Sequence, residues 1–198
     1  MNIISPNIHN KQRAFTIVEL LIVIVIIAIL AATSVVAYTN ISQRAKNAAI
    51  IDTASKSLKM IQAYIAENGT YPATSTACIT VETGCRHSPT SDNATGSNAI
   101  FNTNMATIGT LPKSVPAGGD RLYGISYFYS STNTLDGESQ PAFLQYHLFG
   151  RNQQCGIPGI MKWTADGYKT PSSGYTDGDQ GGSGKTLCRA TITGQEHS

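Results

Sequence analysis

One carboxylate, Glu19, stands near the start of a long apolar run: Ala14-Phe15-Thr16-Ile17-Val18-Glu19, then Leu20 through Ala32 without a polar residue. At bilayer depth a carboxylate costs about 2.5–3.5 kcal/mol even on lenient insertion scales, so it marks a functional site by default and needs a partner. The chemistry open to it is charge pairing. A cut between Ala14 and Phe15 would create an α-amine about one helical turn away. That amine, in the same or an adjacent chain, is the expected partner.

The element that must position Glu19 is the run from Phe15 to Tyr38, interrupted only by Thr16, Glu19, Thr33 and Ser34. As a helix it is about 36 Å long, enough for a hydrocarbon core of about 30 Å. Lys11 and Arg13 precede it, so residues 1–14 are expected on the cytoplasmic side and the rest of the chain outside. Three readings compete. A buried core helix fits poorly with a run this long and apolar. A conventional secretory signal would use Val35-Val36-Ala37 as its cleavage site. The third reading is a short leader cut before Phe15, which leaves the helix in the mature protein.

The stretch Ala14/Phe15-Thr16-Ile17-Val18-Glu19-Leu20-Leu21-Ile22-Val23-Ile24 resembles the class III signal of type IV prepilins. The resemblance covers about the first 25 residues after the cut; beyond that, only the general organisation is similar. It implies cleavage by a prepilin peptidase after Ala14, methylation of the new N-terminal Phe15, and an assembly role for Glu19 at the family's glutamate position. Tyr38 also falls where the family commonly has Tyr. Two positions depart from the pattern: Ala28, where the family often has Gly, and Val36, where it often has Pro. Pro costs a helix interior about 3 kcal/mol and Val only tenths, so a more continuous helix is expected. Any unwinding is expected near Thr33 and Ser34, whose hydroxyls can bond back to preceding carbonyls.

The chain has 198 residues, room for one domain beyond the helix, and a formal charge of +2. Removing two of the 14 basic residues, Lys11 and Arg13, leaves 12 against 12 acids. No basic patch or aromatic–basic alternation follows the helix, so nothing points to nucleic-acid binding. Four cysteines, Cys78, Cys85, Cys155 and Cys188, lie on the expected exported side, where two disulfides are expected. Three pairings are open; we favour Cys78–Cys85 with Cys155–Cys188. The second loop then resembles the disulfide-bounded C-terminal region of type IV pilins. No Cys-x-x-Cys pair supports zinc.

Beyond the membrane stretch the helical pattern turns amphipathic. Ile41, Ala45, Ala48, Leu58, Ile61 and Ile65 read as the apolar face, with Gln43, Arg44, Asn47, Lys56, Lys59 and Gln62 as the wet side. Asn68-Gly69 and Pro72 supply the stop. Residues 69–121 read as a loop with a short helix around Ser97–Ile108. Strand signals follow at Leu122–Ser131, Ala142–Phe149, Gly159–Thr164 and Thr186–Thr193. The expected fold is α+β: a long helix, membrane-spanning over 15–39 and amphipathic over 40–68, packed on an antiparallel sheet of about four strands within 122–193. Residues 166–185 are expected to be an exposed loop.

Several motifs lead nowhere. Gly181-Gly182-Ser183-Gly184-Lys185-Thr186 looks like a phosphate loop, but Asp179 stands where the first Gly belongs and a strand follows instead of a helix. Asp177 and Asp179 are weak calcium candidates, two acids being few for a site of six to eight oxygens. His147 reads as a packed or surface histidine, His87 as solvated, Trp163 as core, and Tyr123, Ile125, Tyr127 and Tyr129 as one sheet face. No spacing supports a nucleophilic site, so no enzyme, cofactor or small-molecule substrate is expected.

The resemblance thus implies a structural filament subunit. Its expected partners are prepilin peptidase, further pilin subunits and the membrane, and it would move from the cytoplasmic membrane to an extracellular pilus. A pseudopilin of type II secretion shares the N-terminal signal, and Asn68-Gly69-Thr70-Tyr71-Pro72 is similar to a segment of those proteins. A secreted binding domain is the third reading.

Overall fold

The computed structural model describes residues 16–80, 84–90, 94–113 and 122–193. The expected leader, 1–14, and Phe15 lie outside them. Helix α1 runs unbroken from Ile17 to Asn68. No Pro or Gly interrupts it, and Thr33 and Ser34 both donate to the Leu30 carbonyl, at 3.0 and 2.7 Å, without breaking it. It stops at Gly69, whose φ of 66° is the left-handed conformation that glycine tolerates. The Gly69 N–H donates to the Ile65 carbonyl at 2.8 Å, a helix-terminating bond.

The chain divides into two units between Ser42 and Gln43. In the first, the large apolar side chains from Ile17 to Leu30 are all exposed, from 48% at Val25 to 84% at Ile17. This half of α1 is long and apolar enough to cross a membrane.

The second unit begins with the rest of α1. Its buried face is Asn47, Ile50, Thr53, Ala54, Ser57, Leu58, Ile61, Tyr64 and Ile65. The i, i+3, i+4 spacing is as expected, but its upper part is not where the apolar residues pointed. Ile41, Ala45 and Ala48 are exposed, and Asn47, assigned to the wet side, is buried. Thr53 and Ser57 are accommodated because their hydroxyls donate to the Ala49 and Thr53 carbonyls. Polar side chains can thus line a core when their hydrogen bonds are met locally.

The remaining elements are β1 (Ala77–Cys78), β2 (Cys85–His87), β3 (Ala94–Thr95), α2 (Ala99–Ala106), β4 (Leu122–Tyr123), β5 (Ser126–Tyr129), β6 (Thr134–Leu135), β7 (Glu138–Ser139), β8 (Ala142–Phe149), β9 (Lys162–Thr164), β10 (Gly167–Lys169) and β11 (Lys185–Thr191). The main sheet is antiparallel and four-stranded, in the order β1-β5-β8-β11. Its membership differs from the meander read from the sequence. β1 comes from the stretch read as loop, and the Gly159–Thr164 region divides: Gly159–Met161 bonds to β11 at the edge of the main sheet, through an antiparallel bridge between Ile160 and Ala190, and Lys162–Thr164 goes on as β9. β9 joins β10, β6 and β7 in a second sheet, in which β10 and β6 are parallel. Residues 166–185, read as loop, therefore contain β10 and a 3-10 turn at Gln180–Gly182. A third sheet has the order β3-β2-β4.

Register explains why β8 is buried along almost its whole length. Leu144, Tyr146 and Leu148 face α1 together with Tyr127, Cys188 and Ala190, their cross-strand neighbours. Burying each large aliphatic side chain there stabilises the fold by about 1.5–3 kcal/mol. Phe143, Gln145 and His147 point to the opposite face, where elements outside the main sheet cover them. A strand covered on both sides shows weak alternation.

Asn47 registers the helix on the sheet. Its side-chain amide donates to the Phe149 carbonyl at 2.9 Å and its Oδ1 accepts the Phe149 N–H at 2.8 Å. Gln43 donates to the same carbonyl at 2.9 Å. One asparagine thus does for the end of β8 what another strand would do.

Candidate functional site

Glu19 lies in the first turn of α1. The Thr16 N–H and hydroxyl both donate to Glu19 Oε2 at 2.8 Å, and the Glu19 N–H donates back to Thr16 Oγ1 at 3.2 Å. This is a reciprocal capping box: Thr16 caps the helix and Glu19 closes the box three residues on. It meets donors that a helix start otherwise leaves unsatisfied, which matters most where no water is present. Reading Glu19 only as a charge in search of an amine missed this. The available signal was Thr-x-x-Glu ahead of an apolar run. Both bonds from Thr16 land on Oε2, so Oε1 keeps its lone pairs for another donor. Ala14 and Phe15, the expected cleavage and methylation residues, lie outside the described residues.

The four cysteines form two bridges, Cys78–Cys85 and Cys155–Cys188, with Cα separations of 5.3 and 5.7 Å. The first joins β1 to β2. The second ties the segment after β8 to β11, where the Tyr146 hydroxyl donates to the Cys155 carbonyl at 2.8 Å. Gly124, at φ 84°, passes the first bridge so closely that a Cβ there would meet Cys85 Sγ at 2.5 Å.

Asp177 and Asp179 build a turn rather than an open cradle. Asp177 Oδ1 accepts the Asp179 N–H at 3.0 Å, and Asp179 Oδ1 accepts the Gly184 N–H at 2.7 Å. Asp179 Oδ2 pairs with Arg151 at 2.8 Å. Among the described residues no cluster of three or more His, Cys, Asp or Glu could hold a metal ion. In the glycine-rich run, Lys185 is buried, with its ammonium donating to the Leu122 carbonyl and standing 4.6 Å from the centre of the Phe149 ring.

Three single-residue expectations need correction or detail. Trp163 is 56% exposed, because β9 is the edge strand of its sheet and little covers it. His87 is not solvated: it is half-buried, its Nε2 hydrogen-bonds Ser126 Oγ, and its ring lies against Phe128 and His147. Of the tyrosine strand, Ile125 and Tyr127 are fully buried, and the Tyr127 hydroxyl donates to the Ala73 carbonyl at 2.7 Å.

Comparison with known families places residues 9–35 in the prokaryotic N-terminal methylation motif. Among curated proteins and solved structures, nothing matches the chain. The matched stretch holds Ala14, Phe15, Thr16 and Glu19 and most of the apolar half of α1. The motif implies processing by a prepilin peptidase and indicates a structural protein. The motif at residues 9–35 supports a type IV pilin-like prepilin, and the apolar helix is consistent with a membrane-anchored precursor.

Proposed function

We propose that the chain is the structural subunit of a type IV pilus. Prepilin peptidase cuts it between Ala14 and Phe15 and methylates Phe15. It waits in the cytoplasmic membrane with residues 40–198 outside, and is then drawn into an extracellular helical filament. The observation that carries this reading is the stretch Ile17–Leu30, apolar and exposed on every side, with one carboxylate at its start. Lipid and a bundle of like helices are both apolar, so transfer between them has little hydrophobic cost. The exposed Ile41, Ala45 and Ala48 extend the surface that neighbouring helices would cover.

Glu19 does two things in this reading. Oε2 caps its own helix, and Oε1 accepts from the methylated amine of Phe15 in its own or an adjacent chain. An unpaired charge in an apolar core costs several kcal/mol, so pairing registers one helix against the next. Glu19→Ala is expected to be cut and inserted normally but to assemble poorly. Electron microscopy of cells carrying the variant tests this, and normal filament numbers would remove the role. The same images separate the pilus from the pseudopilin reading, in which no long surface filament contains this chain.

A further inference from the structure

On the face of the main sheet away from α1, β8 and β11 present His147, Lys185, Leu187 and Arg189, and two segments close over them. One carries β2 and His87; the other is the 3-10 turn at Gln180. The two imidazoles stack with centroids 5.6 Å apart. Gln180 binds both: its Nε2 donates to the His87 carbonyl at 2.9 Å, and its Oε1 hydrogen-bonds His147 Nε2. An amide oxygen only accepts, so His147 carries its proton on Nε2. Nδ1 of His147 and Nδ1 of His87 are both buried with no hydrogen-bond partner. Gly181, at φ 57°, lies so close to Pro89 that a Cβ there would meet its ring at 2.6 Å, so the two closing segments also pack on each other.

This arrangement suits neutral rings only. A proton added to His147 must go to Nδ1, where no acceptor waits. The charged groups facing the pair are cations: Arg189, which acts on both rings, and Lys185, which acts on His147. Arg189 Nε donates to Gln145 Oε1 at 2.8 Å; burial lowers the pKa of its guanidinium, and nearby Tyr168 and Asp177 offset this in part. No carboxylate figures among the groups acting on either imidazole.

We infer that the His87–His147–Gln180 cluster is an acid-released latch: protonation of the stacked pair frees the β2 segment and the Gln180 turn from the sheet, while the α1 face stays packed. Burial, then the Arg189 charge, pushes His87 down to about 4. Burial, then His87, holds His147 well below the ordinary histidine value. The sign follows. Both rings bind protons more weakly when closed than when open, so the latch is at full strength above the ordinary value of 6.5. It weakens as pH falls from there toward about 4.

Hydrogen exchange on the full-length protein in detergent tests the latch. Protection factors at residues 85–87 and 180–182 are expected to fall by roughly 10–100-fold between pH 7.5 and pH 4.5, while those of 144–148 hold. The double variant His87→Gln, His147→Gln keeps amide donors without the charge change and is expected to keep its protection. Equal loss in the variant, or simultaneous loss at 144–148, would overturn the latch. Should the variant not fold, the imidazole NMR titration of the unaltered protein decides. Both rings are expected to stay neutral below pH 6, and titration of either near 6.5 with protection unchanged would contradict the proposal.

Discussion

The two halves of α1 share one backbone geometry and differ in what their side chains require. From Ile17 to Leu30 every large side chain but Glu19 is apolar, all are exposed, and Thr16 and Glu19 hydrogen-bond each other at the helix start. From Asn47 to Ile65 one face is buried, and polar Asn47, Thr53 and Ser57 belong to it with their hydrogen bonds satisfied. In the proposed filament the first half is completed by neighbouring subunits, whereas the second is covered by the chain's own sheet. Substitutions should therefore separate the halves: stability of the head answers to the second, assembly to the first.

The largest effect on stability is expected at Ile61, which is fully buried. Ile61→Ala should lower the free energy of urea unfolding by about 2–5 kcal/mol, whereas Ile24→Ala should change it by no more than about 0.5 kcal/mol. Comparable losses from both would erase the contrast. Replacing Cys155 and Cys188 together by Ser opens a loop of sequence separation 33 and should cost about 3–4 kcal/mol in the same titration. Asn47→Ala strands the Phe149 N–H, while the carbonyl keeps Gln43, and should cost about 1–3 kcal/mol. A neutral result there would mean that α1 is registered by its aliphatic contacts alone. The smallest change is Thr16→Ala, which removes the helix cap at about 1 kcal/mol. It should show as fraying of Ile17–Glu19 in micelle NMR, with head unfolding unaffected.

What could be read from the sequence follows the same division. Glu19 was conspicuous because an anomalous charge in an apolar run needs no tertiary information to be noticed, although its local partner Thr16 was passed over. The end of α1 was equally local, through Asn68-Gly69. The head was harder wherever distant residues decide. Ile41, Ala45 and Ala48 carry helical spacing yet lie beside the buried stripe, and only the Phe149 backbone explains why Asn47 is inside it. β8 was legible by its length, but β1 is two residues long and is a strand only because β5 pairs with it. Trp163 was read as core from residue type, and edge position decided otherwise. His87 became buried because β2, held by the Cys78–Cys85 bridge, brings it to His147, which lies 60 positions along the chain.

All of this rests on the first half of α1 surviving into the mature protein with a free amine ahead of Glu19. Intact mass and N-terminal sequencing of the protein extracted from its own membranes measure that directly. A mature chain that begins at N-methylated Phe15 is the predicted result. A chain that begins at Tyr38, or one that retains Met1, would contradict the account.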